Sequence, residues 1–160
     1  MDPNQPTMAA KKVAVFDNNP AEIEMIEMLL NTEGYNVQSA MTSDFLGKEA
    51  EYEAFILSFD PNVILWSVDS TSGSMWDFFK STTNPDKPCM KDRRVVILTA
   101  LVEKEIEKMT AETKDYILRK PFDIDDLIKL VNEEPDQELN DEINKETKNG
   151  QPRINGERAY

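Results

Sequence analysis

Two short, wholly apolar segments constrain the fold of this chain more than any other feature. Val63–Trp66 and Val95–Leu98 are too short for typical helices, and neither alternates polar with apolar side chains. A strand without alternation is expected where helices cover both faces of a parallel sheet. The two segments therefore predict the interior strands of such a sheet, rather than an antiparallel sheet with one face in water.

Weaker signals on either side complete a regular alternation of strands and helices. The predicted strands are Val13–Phe16, Tyr35–Ser39, Val63–Trp66, Val95–Thr99 and Tyr116–Leu118. The predicted helices run from Pro20 to about Leu30, from Met41 to Phe59, from Met75 to Lys80, from Glu103 to Lys114 and from Asp123 to Val131. This order predicts an α/β fold, a doubly wound five-stranded parallel sheet of the flavodoxin-like three-layer type.

The two ends of the chain differ in composition from the segment between them. Residues 1–10 are polar and contain two prolines, Pro3 and Pro6. Residues 134–160 are rich in acidic side chains and contain few apolar ones. Such segments bury too little apolar surface to offset the entropy lost on ordering. We predict a disordered lead-in at 1–10, one domain at 11–133 and a largely disordered acidic tail at 134–160.

The charge and the scarce residue types exclude several classes of function. The formal net charge is −13, which disfavours binding to nucleic acid. Histidine is absent, so the commonest zinc ligand and general base are missing. The single cysteine, Cys89, cannot form an internal disulfide. No apolar run approaches the length of a membrane helix. We expect a cytoplasmic protein without membrane or nucleic-acid partners.

The predicted fold indicates where a functional site would lie. Ligands of open α/β sheets bind beyond the carboxyl ends of the strands, where the strand order reverses. Asp17 with Asn18, Ser67, Thr99 and Lys120 each stand just past a predicted strand. These five residues are therefore the candidate site residues before any family is considered.

The segments that carry these residues resemble the response-regulator receiver (CheY-like) family over about Lys11–Glu133. Five motifs occur in the family's order: VAVFDNNP (Val13–Pro20), PNVILWS (Pro61–Ser67), SMWDFFK (Ser74–Lys80), VVILTA (Val95–Ala100) and RKPF (Arg119–Phe122). In that family an aspartate after the third strand accepts a phosphoryl group from a kinase histidine. Acidic residues after the first strand hold Mg²⁺, and a hydroxyl and a lysine contact the phosphate.

The chain keeps some of these roles and departs from others. Asp17, Thr99 and Lys120 match the first acid, the hydroxyl residue and the lysine. Asn18 stands where the second acid would be, and Ser67 stands where the acceptor aspartate would be. The aromatic switch position of the fifth strand is occupied by Ile117, while Tyr116 should point to the opposite face of the sheet.

These departures predict an atypical receiver that lacks the phosphoacceptor. Ser67 would need a base to become a nucleophile, and the chain has no histidine. Asp17 and Asp69 are only weak Mg²⁺ candidates, so we expect neither metal nor cofactor and no enzymatic activity. The expected function is phosphorylation-independent binding of a protein partner in two-component signalling: a histidine kinase, another regulator or an effector.

Two alternatives remain open at the level of sequence. In the first, Asp69 is the phosphoacceptor of a working, Mg²⁺-dependent receiver. That alignment needs two extra residues in the strand and spoils the ungapped match from Pro61 through Lys80. In the second, a flavodoxin-type domain binds an anionic cofactor through the hydroxyls and amides of Ser70–Ser74.

Local expectations concern the neighbours of the site. In an active receiver this lysine contacts phosphate; for Lys120 we favour a pairing with Asp17 that locks one conformation. Thr99 is either a functional hydroxyl or a simple strand cap. The resemblance implies a cis peptide bond before Pro121.

Packing expectations follow from the apolar residues. We expect the aromatic residues Trp66, Trp76, Phe78 and Phe79 to lie in the core, together with Met25, Met28 and Met109. Glu103–Lys114 is expected to present a solvated face, available to partners.

Overall fold

The computed structural model describes residues 11–113 and 115–133; the predicted lead-in at 1–10 and tail at 134–160 lie outside these residues. The strands are β1 (Lys12–Asp17), β2 (Asn36–Met41), β3 (Val63–Ser67), β4 (Arg94–Thr99) and β5 (Tyr116–Arg119). The helices are α1 (Pro20–Thr32), α2 (Glu49–Phe59), α3 (Gly73–Thr82), α4 (Glu103–Glu112) and α5 (Ile124–Asn132). Every helix in this part of the chain is too short or too polar to cross a lipid bilayer.

The sheet has the predicted parallel, doubly wound topology. Its strand order is β2-β1-β3-β4-β5, and every neighbouring pair is parallel. The chain winds outwards in one direction from β1 to β2 and in the other from β3 to β5. The strand order therefore reverses between β1 and β3, which places a crevice above the carboxyl ends of these two strands.

The apolar runs in β3 and β4 are explained by two hydrophobic cores, one on each face of the sheet. Ile64 and Trp66 of β3 face an aromatic-rich core with α2, α3 and α4. Val63 and Leu65 face an aliphatic core with α1 and α5. Since side chains alternate between the two faces, each residue of the run is buried and none can be polar without cost.

The structure contradicts the prediction of one helix over Met41–Phe59. β2 continues to Met41, a 3₁₀ turn follows at Thr42–Asp44, and α2 begins only at Glu49. Gly47 has φ +76°, a left-handed conformation that favours glycine and interrupts helical geometry before α2. The α3 helix begins at Gly73, two residues before the predicted Met75.

The α1 helix has a cap at each end, but the predicted burial of its methionines is wrong. Asn19 Oδ1 accepts hydrogen bonds from the first-turn amides, and Gly34 follows the helix with φ +92°. Met25 and Met28 are 41% and 62% exposed, because the helix packs on the sheet through other positions, chiefly Ile26 and Leu30. The remaining predictions for core residues are confirmed for Trp66, Trp76, Phe78, Phe79 and Met109, which are all buried.

Candidate functional site

The fold brings the predicted strand-end residues to the crevice edge of the sheet. Asp17 ends β1, Ser67 ends β3 and Thr99 ends β4, while Lys120 directly follows β5. The Lys120 ammonium donates a hydrogen bond to Ser67 Oγ over 2.6 Å, and its backbone N–H donates to Thr99 O over 2.7 Å. The Lys120–Pro121 peptide bond is cis, as the resemblance implied.

The carboxylate that pairs with Lys120 is Glu22, which corrects the predicted pairing with Asp17. Lys120 Nζ lies 2.6 Å from Glu22 Oε1, and both side chains are largely buried. Glu22 is the third residue of α1, and helical side chains lean towards the amino end of their helix. Its carboxylate can therefore reach over the end of the sheet. Sequence reasoning missed Glu22, although an acidic residue in the first turn after Asp17 was a usable signal.

Asp17 and Glu22 form a carboxyl pair with opposite pKa shifts. Asp17 is 2% exposed, and its Oδ1 accepts the Asn19 N–H over 2.9 Å. Burial, followed by the hydrogen bond and the charge of Glu22, raises the pKa of Asp17 to about 6. Burial alone would raise the pKa of Glu22, but hydrogen bonds with Asp17 and Lys120 outweigh it and lower that pKa. Of the two carboxyl groups, Asp17 is therefore the one that takes up a proton first as the pH falls.

Asn18 and Thr99 are engaged in local structure. Asn18 Oδ1 accepts the Ser43 N–H over 2.9 Å, which ties the β1–α1 turn to the turn after β2. Thr99 is fully buried, and its Oγ1 accepts the Leu101 N–H over 3.1 Å. These contacts make both side chains local caps in this conformation.

One further backbone hydrogen bond to β4 lies between the end of β3 at Ser67 and Asp69. The Val68 N–H donates to Leu98 O over 2.9 Å, so sheet-like bonding continues past Ser67. Asp69 is exposed and lies, together with Asn18 and Ser67, on the wall of a cavity of about 220 Å³. Asp17 is not among the residues that line this cavity.

These side chains do not fit the Mg²⁺ site that the resemblance implies. Within residues 11–113 and 115–133, no three acidic, histidine or cysteine side chains are grouped so as to hold a metal ion. Asp17 Oδ1 accepts the Asn19 N–H, and Glu22 is paired with Lys120. A hard divalent cation requires several oxygen ligands that are free to coordinate it.

Ile117 and Tyr116 face opposite sides of the sheet, as predicted. Ile117 is buried in the aromatic-rich core with Ile97, Ile106 and Met109. Tyr116 packs against the other core, and the Arg94 guanidinium lies 4.8 Å from its ring centre. An aliphatic side chain therefore occupies the switch position, inside the core.

The charged residues of α4 are mostly exposed, as expected, but three of its glutamates also contact neighbouring elements. Glu103 pairs with Arg119 of β5 over 2.9 Å, and Glu105 accepts a hydrogen bond from Thr71. Glu112 accepts the indole N–H of Trp76 over 2.7 Å. Because these contacts reach β5 on one side and the α3 region on the other, α4 is tied at both flanks.

Two hydroxyls of the Ser70–Ser74 loop, those of Ser70 and Thr71, make hydrogen bonds within the chain. Ser70 Oγ donates to Ser72 O over 3.1 Å, and Thr71 is bonded to Glu105. The flavodoxin-type alternative stays a prediction, which the visible absorbance spectrum of the purified protein would test.

Comparison with known proteins defines the class of fold: this is the fold of CheY-like receiver domains. No protein-family model matches the sequence, and no curated protein is significantly similar to it. Solved structures match over most of the chain. The chemotaxis response regulator CheY4 of Vibrio cholerae has a TM-score of 0.59 and 22% identity, covering 77% of this chain and 97% of that one.

Two further receiver domains give the same result. The signal receiver domain of a response regulator from Bermanella marisrubri has a TM-score of 0.57 and 20% identity, covering 77% of this chain and 96% of that one. The receiver domain of a signal transduction histidine kinase from Syntrophus aciditrophicus has a TM-score of 0.56 and 17% identity, covering 76% of this chain and 87% of that one. The receiver fold is thus shared at low sequence identity.

Proposed function

We propose that this chain is an atypical receiver of two-component signalling that binds a protein partner without being phosphorylated. Partners of this kind are a histidine kinase, another response regulator or an effector. In this proposal the chain has no catalytic activity, needs neither metal nor cofactor, and works in the cytoplasm.

The observation that carries the proposal is the contact between Ser67 and Lys120. At the acceptor position, an aspartate would present an ionised oxygen to a phosphoryl donor, whereas Ser67 presents a hydroxyl that accepts a hydrogen bond from Lys120. The Lys120 ammonium is in turn neutralised by Glu22. The lysine is therefore already occupied, and among the residues that the structure describes no base accepts a hydrogen bond from the Ser67 hydroxyl.

The attachment of α4 supports a partner surface that does not need switching. In receivers, the surface of the fourth helix, fifth strand and fifth helix meets partners. Here Arg119 connects β5 to Glu103 of α4, and Trp76 holds Glu112 at the other end of that helix. A helix tied at both ends presents one arrangement of its outer face, as a constitutive docking surface requires.

Amide NMR of the full chain, titrated with Mg²⁺ and then with beryllofluoride, tests the proposal. We expect no movement of the Asp17, Ser67, Asp69, Thr99 and Lys120 amides at millimolar Mg²⁺ or after beryllofluoride. The variant Asn18→Asp/Ser67→Asp is the matched positive control, because it returns both missing carboxylates to their positions. Shifts in the unmodified protein at these amides would refute the proposal.

The second candidate is a working receiver that takes phosphate on Asp69. It is favoured by the exposure of Asp69 on the cavity wall beside Ser67 and Asn18. Incubation with a small-molecule phosphodonor and Mg²⁺, followed by intact-mass measurement, tests it. A gain of one phosphoryl group that is lost in Asp69→Asn but kept in Asp77→Asn would establish this alternative; an unchanged mass would oppose it.

A further inference from the structure

The cavity of about 220 Å³ beside Ser67 has an aromatic wall that is already in place. Trp66, Trp76 and Phe79 line it, and each of these residues is at most 2% exposed. Phe79 stacks on Trp76 with ring centres 5.2 Å apart and meets Trp66 edge-on at 5.3 Å. The Trp76 indole N–H donates to Glu112, which fixes that ring further. A preformed apolar wall of this kind is typical of sites that bind small molecules.

The polar part of the same wall contains one carboxyl group without a partner. The side-chain oxygens of Asn18, Ser67 and Ser70 already take part in hydrogen bonds. Asp69 is the one acidic or basic residue that lines the cavity. In the described part of the chain, no hydrogen bond or ion pair engages its carboxyl group. The cavity therefore offers a ligand an apolar surface and a single negative charge.

Charge and size together select the kind of ligand. An anion would meet the Asp69 carboxylate with no lysine or arginine on the wall to attract it. A divalent metal ion would find only one free carboxylate, whereas it needs several oxygen ligands. A protonated amine can pair with one carboxylate, and the aromatic wall can bury an apolar body. Because the cavity is smaller than the roughly 300–1,000 Å³ of sites for drug-sized ligands, that body is a single ring on a short chain.

We propose that this cavity binds a small organic cation of the arylalkylamine class, with its ring against Trp66, Trp76 and Phe79 and its ammonium group at Asp69. Ser67 lies on the same wall, so an occupied cavity changes the surroundings of the strand end that carries the phosphoacceptor in the receivers this chain resembles. The inference goes beyond the proposed function and does not depend on it.

Amide NMR of the full chain, titrated with phenethylammonium at neutral pH and about 0.15 M salt, tests the inference. We expect saturable shifts of the Ser67–Ser70 amides and of both tryptophan indole N–H signals, with a Kd of millimolar order. Asp69→Asn should weaken binding about three- to fivefold, because it removes an ion pair at an exposed carboxylate. The matched control Asp77→Asn removes the same charge from an exposed position that does not line the cavity, and it should leave the Kd unchanged.

Phenethyl alcohol, a neutral analogue, separates the contribution of the ring from that of the charge. It should shift the same signals with a higher Kd, and Asp69→Asn should not change that Kd. Shifts that do not saturate, or that lie away from the cavity wall, would overturn the inference. Equal weakening by Asp69→Asn and Asp77→Asn would do the same, because it would show attraction to the acidic protein as a whole. Equal affinities of the amine and the alcohol for the unmodified protein would also overturn it. None of these results touches the proposed function, which fails only if Mg²⁺ or beryllofluoride moves the site.

Discussion

At the scale of single residues, the site shows how a largely buried lysine obtains its counter-charge from a neighbouring helix. An aspartate after β3 would have been the natural counter-charge for Lys120. Ser67 cannot supply that charge, and Glu22 from α1 supplies it instead. The lysine therefore keeps a hydroxyl and a carboxylate as partners, although neither is the carboxylate of the family's acceptor position.

The variant Ser67→Ala tests how much the hydroxyl contributes. Removing a hydrogen bond to a charged group should lower the free energy of unfolding by ~1–2 kcal/mol. Urea denaturation at neutral pH measures the change. Ser74→Ala is the control, because Ser74 is exposed in the first turn of α3; its effect should be within about 0.5 kcal/mol. Equal effects of the two variants would contradict a special role for Ser67.

The pKa of Asp17 predicts how stability depends on pH. A carboxyl group with a raised pKa in the folded state stabilises the fold while it is protonated, and this contribution is lost as pH rises from 3.8 through about 6. The loss should be of the order of 2–3 kcal/mol for the unmodified protein. The lowered pKa of Glu22 affects stability in a different pH range. The contribution of Glu22 to the free energy of unfolding is lost only as the pH falls below the usual glutamate range.

Asp17→Asn isolates the first of these two effects. The asparagine side chain cannot ionise. The unfolding free energy of the variant should therefore not fall between about pH 5 and about pH 7, whereas that of the unmodified protein should fall. Denaturation curves measured across this range check the expectation. A parallel fall in both proteins would show that another group causes the pH dependence.

The sequence predicted which strand ends converge but not which side chains pair. Asp17, Ser67, Thr99 and Lys120 were identified because every strand of a parallel sheet delivers its last residue to the same edge. The partner of Lys120 depends instead on how far the first turn of α1 reaches over that edge. Strand-end reasoning does not consider helix residues such as Glu22, so it missed the pairing of Glu22 with Lys120.

At the scale of elements, the helices were predicted well where a buried stripe is flanked by clear caps. α1 follows this rule, with Asn19 as its cap and Gly34 beyond its end. The segment from Met41 to Phe59 does not, because β2 extends to Met41 and the turn at Gly47 depends on backbone conformation rather than apolar spacing. The acidic contacts of α4 were missed for a related reason: periodicity reports which face is apolar, not which carboxylates meet donors on neighbouring elements.

The attachment of α4 to α3 gives a prediction at this scale. Glu112→Ala removes the acceptor of the Trp76 indole N–H and should lower the unfolding free energy by ~1–2 kcal/mol. Glu107→Ala, an exposed position on the same helix, is the control and should change it by less than about 0.5 kcal/mol. The free energies of unfolding of both variants, measured with a denaturant, show whether Glu112 holds α4 to α3 or is only a surface charge.

At the scale of the whole molecule, the domain is closed at the edge opposite the site. Lys11 Nζ donates to Val131 O over 3.0 Å, so the chain just before β1 holds the carboxyl end of α5. The Arg94 guanidinium at the start of β4 donates to Leu130 O. These two contacts fasten α5 to the amino ends of two strands.

This closure predicts that residues 11–133 are an independent folding unit. A chain that ends after Glu133 should unfold with the same urea midpoint and slope as the full chain, because the contacts of α5 are retained. A chain that ends after Lys129 loses the Leu130 and Val131 anchors and should be markedly less stable. A lower midpoint for the longer fragment would show that residues 134–160 contribute to the stability of the domain.

The positions of the two tryptophans have a practical consequence. Trp66 immediately precedes Ser67, and both Trp66 and Trp76 line the cavity that also holds Asp69. The chain contains no other tryptophan. Excitation at a wavelength that tryptophan absorbs and tyrosine does not therefore produces emission from these two residues of the cavity wall. The wavelength and intensity of this emission report on changes at Ser67 and Lys120, without any dye or engineered reporter.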